Sequence, residues 1–559
     1  MSNAAATFAQ KARAKLGLVA PAPNPVTSAL EVPVASLGAS VAAAVAAGEV
    51  QGKDNAKATK EHGEKITHDA LNSVRLILDQ QGVARVAHDA EAFILDSDRG
   101  MDHMRMSVFN TTGKAIGNET LMREVSVLRA RTVAKNERTP VYKRIAPNGD
   151  GTVIDMGGKR GIYVTPGAWE EREHDALLFI RGPGYGPLPS PVRAASPKAA
   201  LAALDAVFAE MGVPAVRRLM LAVALVNALR HGVPYVIILL LGGAGSGKTT
   251  TAGNLGGFID PTTSGELPNV PLNAQDIAAV AQEAHAVGLD NKSKIDPAAS
   301  DLLCMGTHGS EFIVREFNTR KETTRMHVHC QFFITAITNP VTRGDLLDRV
   351  LPITLEPHSD YKGEDEVRAW FREVQPVALG ALVELLAAAL ELLPGVKQQR
   401  RWKHRLVDFC QLGEAIAQAC SDEPGAFVQQ FDALRRETAE EAASGDPIIQ
   451  HVLDVVREIA AKAEASSGFP PWRKWNAAGH VGVRDGDIVR VAIKASTLRD
   501  RVKLKALIAN SRGWIPESDK AMADVLLQKK PTLAAIDISV QRECFNGASG
   551  AAWVFSWSE

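Results

Sequence analysis

The middle of the chain alternates apolar runs of strand length with segments in which apolar residues recur every three or four positions. "SPKAALAALDAVFAEMG" and "PAVRRLMLAVALVNALRHG" have the helical spacing; they begin at Ser-Pro or Pro and end at Gly212 and Gly232, the usual asymmetry of helix ends. Continuous apolar runs are typical of buried strands. Five follow: "YVIILLL", "AHAVGLDN", "SEFIVREF", "MHVHCQFFITAITNP" and "RVLPITLEP". Together with the two helices they predict an α/β domain over residues 196–358.

The patterns on either side of this domain predict four further segments. Residues 1–65 are rich in Ala, Val, Pro and Gly, which predicts a flexible arm. Residues 66–195 predict an α+β domain with a small sheet, because β-type runs flank the turn sequence Asn148-Gly149-Asp150-Gly151. Residues 359–466 have helical spacing. Residues 467–559 predict helices followed by a β-type pair around "NGASG", as in a winged-helix-like domain.

Composition adds limits on location and partners. The 559 residues carry a net charge of −1, which argues against a chain coated by nucleic acid along its length but leaves room for local basic patches. The five cysteines are scattered without a CxxC pair and indicate free thiols in a reducing compartment. The apolar run Val236 to Leu241 is too short to span a bilayer, so a cytoplasmic protein without a membrane partner is expected.

The stretch "GGAGSGKTT" fits the phosphate-loop pattern G-x-x-x-x-G-K-[ST] and lies between a predicted strand and a predicted helix. Glycines let backbone N–H groups turn towards phosphate oxygens, and the following helix adds its positive N-terminal end. Lys248 is expected to reach the β- and γ-phosphates, and the Thr249 hydroxyl to ligate Mg²⁺. The predicted ATP-binding residues are Gly242, Gly243, Ala244, Gly245, Ser246, Gly247, Lys248, Thr249 and Thr250.

Three further residues are candidates for the same site. Asp290 follows an apolar run and is expected to hold Mg²⁺ together with Thr249. Asn339 ends the run "FFITAITN", where it would either orient the attacking water or form a turn before Pro340. Arg349 would either stabilise charge on the transferred phosphoryl group from a neighbouring subunit or pair on the surface with Asp345 or Asp348.

The order "GGAGSGKTT", "GLDN", "TAITNP" and "DLLDRVLPITL" resembles the ATPase core of phage and mobile-element primase-helicase proteins, which belong to the AAA+-related superfamily 3 helicases. The resemblance covers roughly residues 135–460, and primase motifs are not found upstream. It implies ATP hydrolysis at the interfaces of a hexameric ring that acts on single-stranded or forked DNA. It also implies that Asp290 is the metal-binding acid, Asn339 a sensor, Arg349 an arginine finger and Arg405 a second sensor.

Two features bear on what the ATPase would do. The charged tip between "IVREF" and "MHVHC" supplies Arg320, Lys321 and Arg325, which would contact the DNA backbone or form an ordinary solvated turn. Asn291 stands where ring ATPases often have a second carboxylate, and an amide cannot accept a proton from water. Two alternatives therefore stay open: a protein-remodelling or packaging ATPase, and a nucleotide-gated DNA-binding scaffold with little turnover.

Overall fold

A computed structural model describes residues 68–558 apart from gaps at 175, 316–322, 342, 358–361, 400–401, 445, 471–473, 475–476, 510–514 and 545–550. The predicted arm 1–65 and the predicted DNA-contact residues Arg320 and Lys321 lie outside the described residues. The described chain divides into two compact units. One contains residues 68–142 and 174–181, and the other contains 143–173 and 182–558, so the predicted segment 66–195 is shared between them.

The described residues of the first unit include a three-stranded antiparallel sheet and two helices that follow it in sequence. Its strands are β1 (Arg75–Leu78), β2 (Ala84–His88) and β3 (Glu91–Ile94), and its helices are α1 (Asp98–Thr112) and α2 (Asn118–Lys135). The Ser97 side chain caps α1 by accepting a hydrogen bond from the Gly100 N–H. Apolar residues of the sheet and of both helices, such as Val86, Met104 and Leu121, form one buried core.

The second unit begins with a four-stranded antiparallel meander. Its strands are β4 (Ile145–Asn148), β5 (Gly151–Gly157), β6 (Arg160–Thr165) and β7 (Ala168–Glu173). Asn148 pairs directly with Gly151, so the predicted hairpin turn is confirmed. Trp169 of β7 donates a hydrogen bond to Glu384 over 2.8 Å, which ties this sheet to a helix of the same unit.

The centre of the second unit is the predicted α/β domain. Helices α3 (Pro197–Glu210) and α4 (Ala215–Ala228) begin at the predicted signals but end before the predicted glycines, Gly212 and Gly232. The elements that follow are β8 (Ile237–Leu241), α5 (Lys248–Gly257), α6 (Ala274–Val280), β9 (Ala286–Leu289), α7 (Pro297–His308), β10 (Ser310–Arg315), β11 (Thr323–Val328), β12 (Gln331–Ala336), α8 (Gly344–Leu347) and β13 (Val350–Thr354).

Four of these strands form a parallel sheet in the order β13-β8-β12-β9. The strands are almost wholly buried, as continuous apolar runs predict, and Pro352 lies on the edge strand β13, where a missing N–H donor is tolerated. The side of the sheet where the strands end is the carboxyl edge, and the opposite side is the amino edge. The run "SEFIVREF" forms β10, which pairs with β11 in a separate two-stranded hairpin, as the two predicted strands around a charged tip would.

A helical part follows: α9 (Glu364–Gln399), α10 (Val407–Ala419), α11 (Ala426–Ser444) and α12 (Pro447–Ala460). The backbone of Val192 lies directly against α9, where its N–H donates to the Pro376 carbonyl over 2.9 Å. This approach requires Gly380, since a Cβ there would lie 1.8 Å from the Val192 carbonyl oxygen. By length and composition α9 is able to cross a membrane, and the bent pair of α3 and α4 is a second such case, but 67% of the apolar window of α9 is buried.

The C-terminal part is a five-stranded sheet with helices. Its elements are β14 (Glu464–Ala465), β15 (His480–Asp485), β16 (Ile488–Lys494), α13 (Ala495–Ile508), α14 (Asp519–Ala535), β17 (Ser539–Cys544) and β18 (Ala551–Ser558). The strand order is β14-β15-β16-β18-β17, and β17 and β18 form the expected antiparallel pair on either side of residues 545–550. Helix α12 contributes Val455 and Ile459 to the core of this part.

Candidate nucleotide and magnesium site

The glycine-rich loop joins the carboxyl end of β8 to the start of α5. Three of its glycines have positive φ: +154° at Gly242, +78° at Gly245 and +74° at Gly247. A Cβ at Gly242 would also lie 2.5 Å from Oγ of Ser246. Glycine at these positions therefore allows the loop to curl back over itself, as a phosphate-binding loop must.

The loop opens onto the bare N-terminus of α5. Gly247 is the N-cap and provides no side-chain hydrogen bond, so the first-turn N–H groups of the helix can bind an anion. Lys248 donates to the carbonyls of Gly242 and Gly243 over 2.9 and 2.6 Å, which holds its ammonium group against the loop. Thr249 and Thr250 are exposed on the same first turn. These groups together can bind the phosphates of a nucleotide.

Asp290 lies beside this helix end. It follows β9 at the carboxyl edge, and its Oδ1 accepts a hydrogen bond of 2.9 Å from the Thr249 hydroxyl. A hydroxyl and a carboxylate so close together are oxygen donors of the kind that Mg²⁺ prefers when it also binds phosphate. The residues present fit the predicted magnesium ion.

Two residues that the sequence analysis missed hold Asp290 in place. The Thr335 hydroxyl of β12 donates to Asp290 Oδ1 over 2.5 Å, and the Asn269 side chain accepts a hydrogen bond of 3.0 Å from the Asp290 N–H. Asn269 reaches this position because the chain before it packs tightly against glycines: a Cβ at Gly256 or Gly288 would lie 2.3 or 3.1 Å from Leu267. Thr335 leaves one signal in the sequence, a hydroxyl within the apolar run "FFITAITN".

The residue that follows Asp290 offers an amide, not a carboxylate. Asn291 has a φ of +51°, and its backbone N–H donates to the Thr335 hydroxyl over 2.7 Å. Glu283, a nearby acid in the sequence, precedes β9 and so lies at the amino edge. Its carboxylate packs against Gly182, where a Cβ would lie 2.4 Å from Glu283 Oε2. Glu283 is therefore unsuited to accept a proton from water beside Asp290.

Asn339 lies three residues beyond β12, at the carboxyl edge that also carries Asp290. Its Oδ1 accepts a hydrogen bond of 3.0 Å from the Val341 N–H, which is the turn contact expected around Pro340. Its Nδ2 is buried and has no hydrogen-bond partner among the described residues. The side chain thus combines a turn-forming oxygen with a spare donor.

Arg349 lies at the opposite edge of the sheet from the loop. It precedes Val350, which pairs with Ile237 at the start of β8, whereas Gly242 follows the end of that strand. Six residue rises separate the two levels, which is about 20 Å. The structure therefore does not bring Arg349 together with Lys248 or Asp290 of the same chain.

The surroundings of Arg349 exclude the expected surface pairing. Its side chain is only 7% exposed, Nη1 lies 2.6 Å from Nδ1 of His308, and Nε has no partner among the described residues. Asp345 pairs instead with Arg343, and Asp348 pairs with Arg435. Burial lowers the pKa of Arg349 and also that of His308, and nearby Arg405 lowers both further. Arg405 is exposed and belongs to this amino-edge group, not to the loop.

Candidate DNA-contact residues occur in two places. Arg325 on β11 is 73% exposed and forms an ion pair of 3.3 Å with Glu311 across the hairpin. In the C-terminal part, basic residues are paired with acids of the same chain: Arg499 with Asp519, Arg501 and Lys505 with Glu458, and Lys529 with Asp446. The basic hairpin side chain that the structure describes is thus also ion-paired, so internal ion pairs do not decide between the two places.

Comparison with known proteins gives one family match, and it covers the part of the chain that contains the glycine loop. Residues 205–427 match the family model described as Actinomycete integrative conjugative element replication protein. Over this range, which is less than half of the chain, the protein is similar to the replication protein of a mobile element. The range contains the glycine loop, Asp290, Asn339 and Arg349. A search of curated proteins gives no match.

Solved structures offer only distant likenesses. A structure titled SCCmec type IV Cch, active helicase, is 11% identical with a TM-score of 0.40, covering 86% of this chain and 92% of that chain. The NrS-1 C-terminal region is 13% identical with a TM-score of 0.37, covering 87% and 98%. An MCM homolog from Methanopyrus kandleri is 12% identical with a TM-score of 0.28, covering 62% and 96%. Similarities this low do not show which activity this protein has.

Proposed function

We propose that this chain is an ATP-hydrolysing motor of helicase type, related to superfamily 3, which acts on DNA in the replication of a mobile genetic element. Its copies would assemble into a homo-oligomeric ring, with six subunits expected. The observation that carries the proposal is the contact between Thr249 and Asp290 beside the glycine loop, since it joins a phosphate-binding helix end to a metal-binding acid. The match to a mobile-element replication protein supports the biological setting.

In this proposal the residues at the carboxyl edge bind and orient ATP. The first-turn N–H groups of α5 and the Lys248 ammonium group bind the phosphates, while the Thr249 hydroxyl and the Asp290 carboxylate would hold Mg²⁺. When bound, Mg²⁺ would supply positive charge that offsets the negative charge of the phosphates. The spare Nδ2 donor of Asn339 would orient the attacking water or a γ-phosphate oxygen.

Two arginines would complete the site from an adjacent subunit. Arg349 lies about 20 Å from the loop of its own chain, measured along the strands, so its guanidinium group can serve only the loop of a neighbour. To reach that loop, the Arg349 side chain would have to turn away from His308. It would not have to break a hydrogen bond to an acidic side chain of the described residues. Arg405 lies close enough to lower the pKa of Arg349 and would act at the same interface.

The DNA contact is assigned to the β10–β11 hairpin, with Arg325 on the described strand and Arg320 and Lys321 in the sequence between the two strands. Basic side chains at a hairpin tip suit the phosphate backbone of single-stranded DNA, which is bound without regard to sequence. The C-terminal domain would be a winged-helix-like accessory domain.

The test is an ATPase assay on the purified full chain with and without single-stranded DNA, next to the Lys248→Ala variant. We expect turnover that DNA stimulates and that the variant loses. Turnover that DNA leaves unchanged would favour a protein-remodelling or packaging ATPase instead. Retained turnover in the Lys248→Ala variant would overturn the assignment of the loop.

A nucleotide-gated DNA-binding scaffold is the second candidate, and Asn291 is the observation that favours it. The amide at this position cannot take a proton from water, and Glu283 lies at the other edge of the sheet. For a scaffold, ATP would bind and alter DNA affinity without measurable turnover. Asn291→Glu would then create turnover where the wild type has none.

A further inference from the structure

We propose that Thr335 is a positioning residue that sets the orientation of Asp290 for the metal ion; this rests on the proposed ATP hydrolysis. Thr335 lies on β12, next to β9 in the parallel sheet, and its side chain is 3% exposed. A buried threonine on this strand cannot reach solvent or DNA. Its influence on the site therefore passes through the residues that it contacts.

Thr335 makes three hydrogen bonds to the turn that follows β9. Its hydroxyl donates to Asp290 Oδ1 over 2.5 Å and accepts from the Asn291 N–H over 2.7 Å. Its carbonyl oxygen accepts from the Lys292 N–H over 2.8 Å. One residue of the central sheet thus fixes three consecutive residues, and the middle one has the left-handed φ of +51°.

The Thr335 hydroxyl group uses its only donor in one of these bonds. A hydroxyl carries one donor, and Thr335 directs it at the carboxylate oxygen that also accepts from Thr249. The two hydroxyls fix the plane of the carboxylate, but they differ in role. Thr249 is exposed and is a candidate metal ligand, whereas Thr335 is buried and acts only through Asp290 and Asn291.

Removing the Thr335 hydroxyl should therefore change metal affinity more than stability. Thr335→Val keeps the shape of the side chain but removes one of the two hydroxyl donors to Asp290 Oδ1, while the Asn291 N–H loses its partner. Groups that orient a metal ligand typically account for about 10- to 100-fold in metal affinity or activity. Thr335→Ser keeps both hydrogen bonds and should behave like the wild type.

The experiment measures how binding of a fluorescent ATP analogue depends on Mg²⁺ concentration, together with kcat and KM for ATP. We expect Thr335→Val to require about 10- to 100-fold more Mg²⁺ for half-maximal binding and to lower kcat, with Thr335→Ser restoring both. The control is Thr354→Val on β13, at the same carboxyl edge but exposed. If Thr335→Val does not fold, Thr335→Ala removes the same hydroxyl with less bulk and has the same expected result.

A wild-type Mg²⁺ dependence in a folded Thr335→Val or Thr335→Ala variant would overturn the positioning role. So would an equal loss in the Thr335→Ser and Thr335→Val variants, because serine keeps the hydroxyl group and its presence would then make no difference. The binding readout separates this inference from the proposed function. A wild-type chain that binds the analogue with Mg²⁺ but does not hydrolyse ATP contradicts the motor and still tests Thr335.

Discussion

Thr249 and Asp290 are separated by 41 residues in sequence, yet the hydroxyl of the first donates to the carboxylate of the second over 2.9 Å. One side chain belongs to the first turn of α5, and the other follows a buried strand of the parallel sheet. Both elements are anchored by packing, so the pair is fixed by the core and not by a mobile loop. Such preorganisation is what a catalytic site requires, because misplacement by about 1 Å is costly.

The first prediction concerns this pair. Asp290→Asn should lower ATP turnover about 100- to 1,000-fold, because it removes the negative charge opposite the metal ion and keeps the size of the side chain. Binding of nucleotide without Mg²⁺ should be unchanged. Steady-state assays and nucleotide titrations check this, with Asp205→Asn, an exposed ion-pair residue on α3, as the matched control. Full activity in the Asp290 variant would remove this residue from the metal site.

The second prediction concerns the two edges of the sheet. Each of the variants Lys248→Ala and Arg349→Ala alone should have much lower ATP turnover than the wild type. We expect a loss of about 100-fold or more for Lys248→Ala and of about 1,000-fold or more for Arg349→Ala, as for an arginine finger. A mixture of the two variants should regain activity, since an intact loop from one chain can meet an intact arginine from another. The check is an ATPase titration of one variant into the other. A mixture as inactive as its components would contradict a shared site.

The third prediction concerns the packing of α9. Gly380→Ala should destabilise the protein by about 1–3 kcal/mol, because the new methyl group would collide with the Val192 carbonyl 1.8 Å away. Gly395→Ala in the same helix meets nothing within 4 Å and should stabilise by about 0.5–1 kcal/mol. Thermal denaturation of both variants gives the comparison. Equal shifts in the same direction would show that the close approach is not limiting.

The fourth prediction concerns acid stability. Burial lowers the pKa of His285 to about 4 and that of His329 to about 3, and both are neutral in the folded protein at neutral pH. In the unfolded chain their pKa returns to about 6.5, so the unfolded state takes up protons first as pH falls. The contribution of these histidines to the free energy of unfolding is fully present above about pH 6.5. It declines towards about pH 4, by up to about 1.4 kcal/mol per pH unit for each histidine.

Thermal midpoints measured between about pH 7.5 and 5 check this decline. The histidines have different neighbours: His285 is within 2.7 Å of the Ala228 carbonyl, and His329 stacks on Tyr235 at 4.2 Å. The His329→Gln variant cannot gain a charge, so its midpoint should fall less steeply with acid than that of the wild type. A parallel pH profile in the variant would contradict the assignment.

The fifth prediction concerns the hairpin. Replacing Arg320, Lys321 and Arg325 together by alanine should weaken binding of single-stranded DNA and reduce the salt dependence of log K by about 0.7 for each lost phosphate contact. Arg501→Ala with Lys505→Ala is the matched control, because both side chains are paired with Glu458. Fluorescence anisotropy at several salt concentrations measures the slopes. An unchanged slope in the hairpin variant, or an equal loss in the control, would place the contact elsewhere.

Sequence patterns predicted local features well when a few neighbouring residues determine them. The starts of α3 and α4 and the turn between β4 and β5 depend on Pro, Gly and Asn at fixed places, and the structure confirms them. The position of Asp290 at a strand end followed from the apolar run before it. The order of the strands in the parallel sheet did not follow, because apolar runs specify burial and not partners.

Long-range pairing explains the other differences. Spacing offered Asp345 and Asp348 as partners of Arg349, but Asp348 pairs with Arg435, which lies 87 residues further along the chain. Thr335 and Asn269 are 45 and 21 residues from Asp290 and have no local motif. Contacts of this kind depend on the completed fold, so the hydroxyl of Thr335 within an apolar run marks an unusual residue but does not identify its partner.

Lys248 and Arg349 lie on opposite edges of one sheet, so the two edges present different surfaces to neighbouring copies. If one edge of a copy binds the other edge of the next, the two contacting surfaces differ, and the contact is heterologous. A two-fold symmetric dimer would pair like edges and would leave every loop without an arginine. Such a contact repeats with a constant rotation from copy to copy. Only in a closed cycle does every copy both supply Arg349 to one neighbour and receive it at its loop from the other.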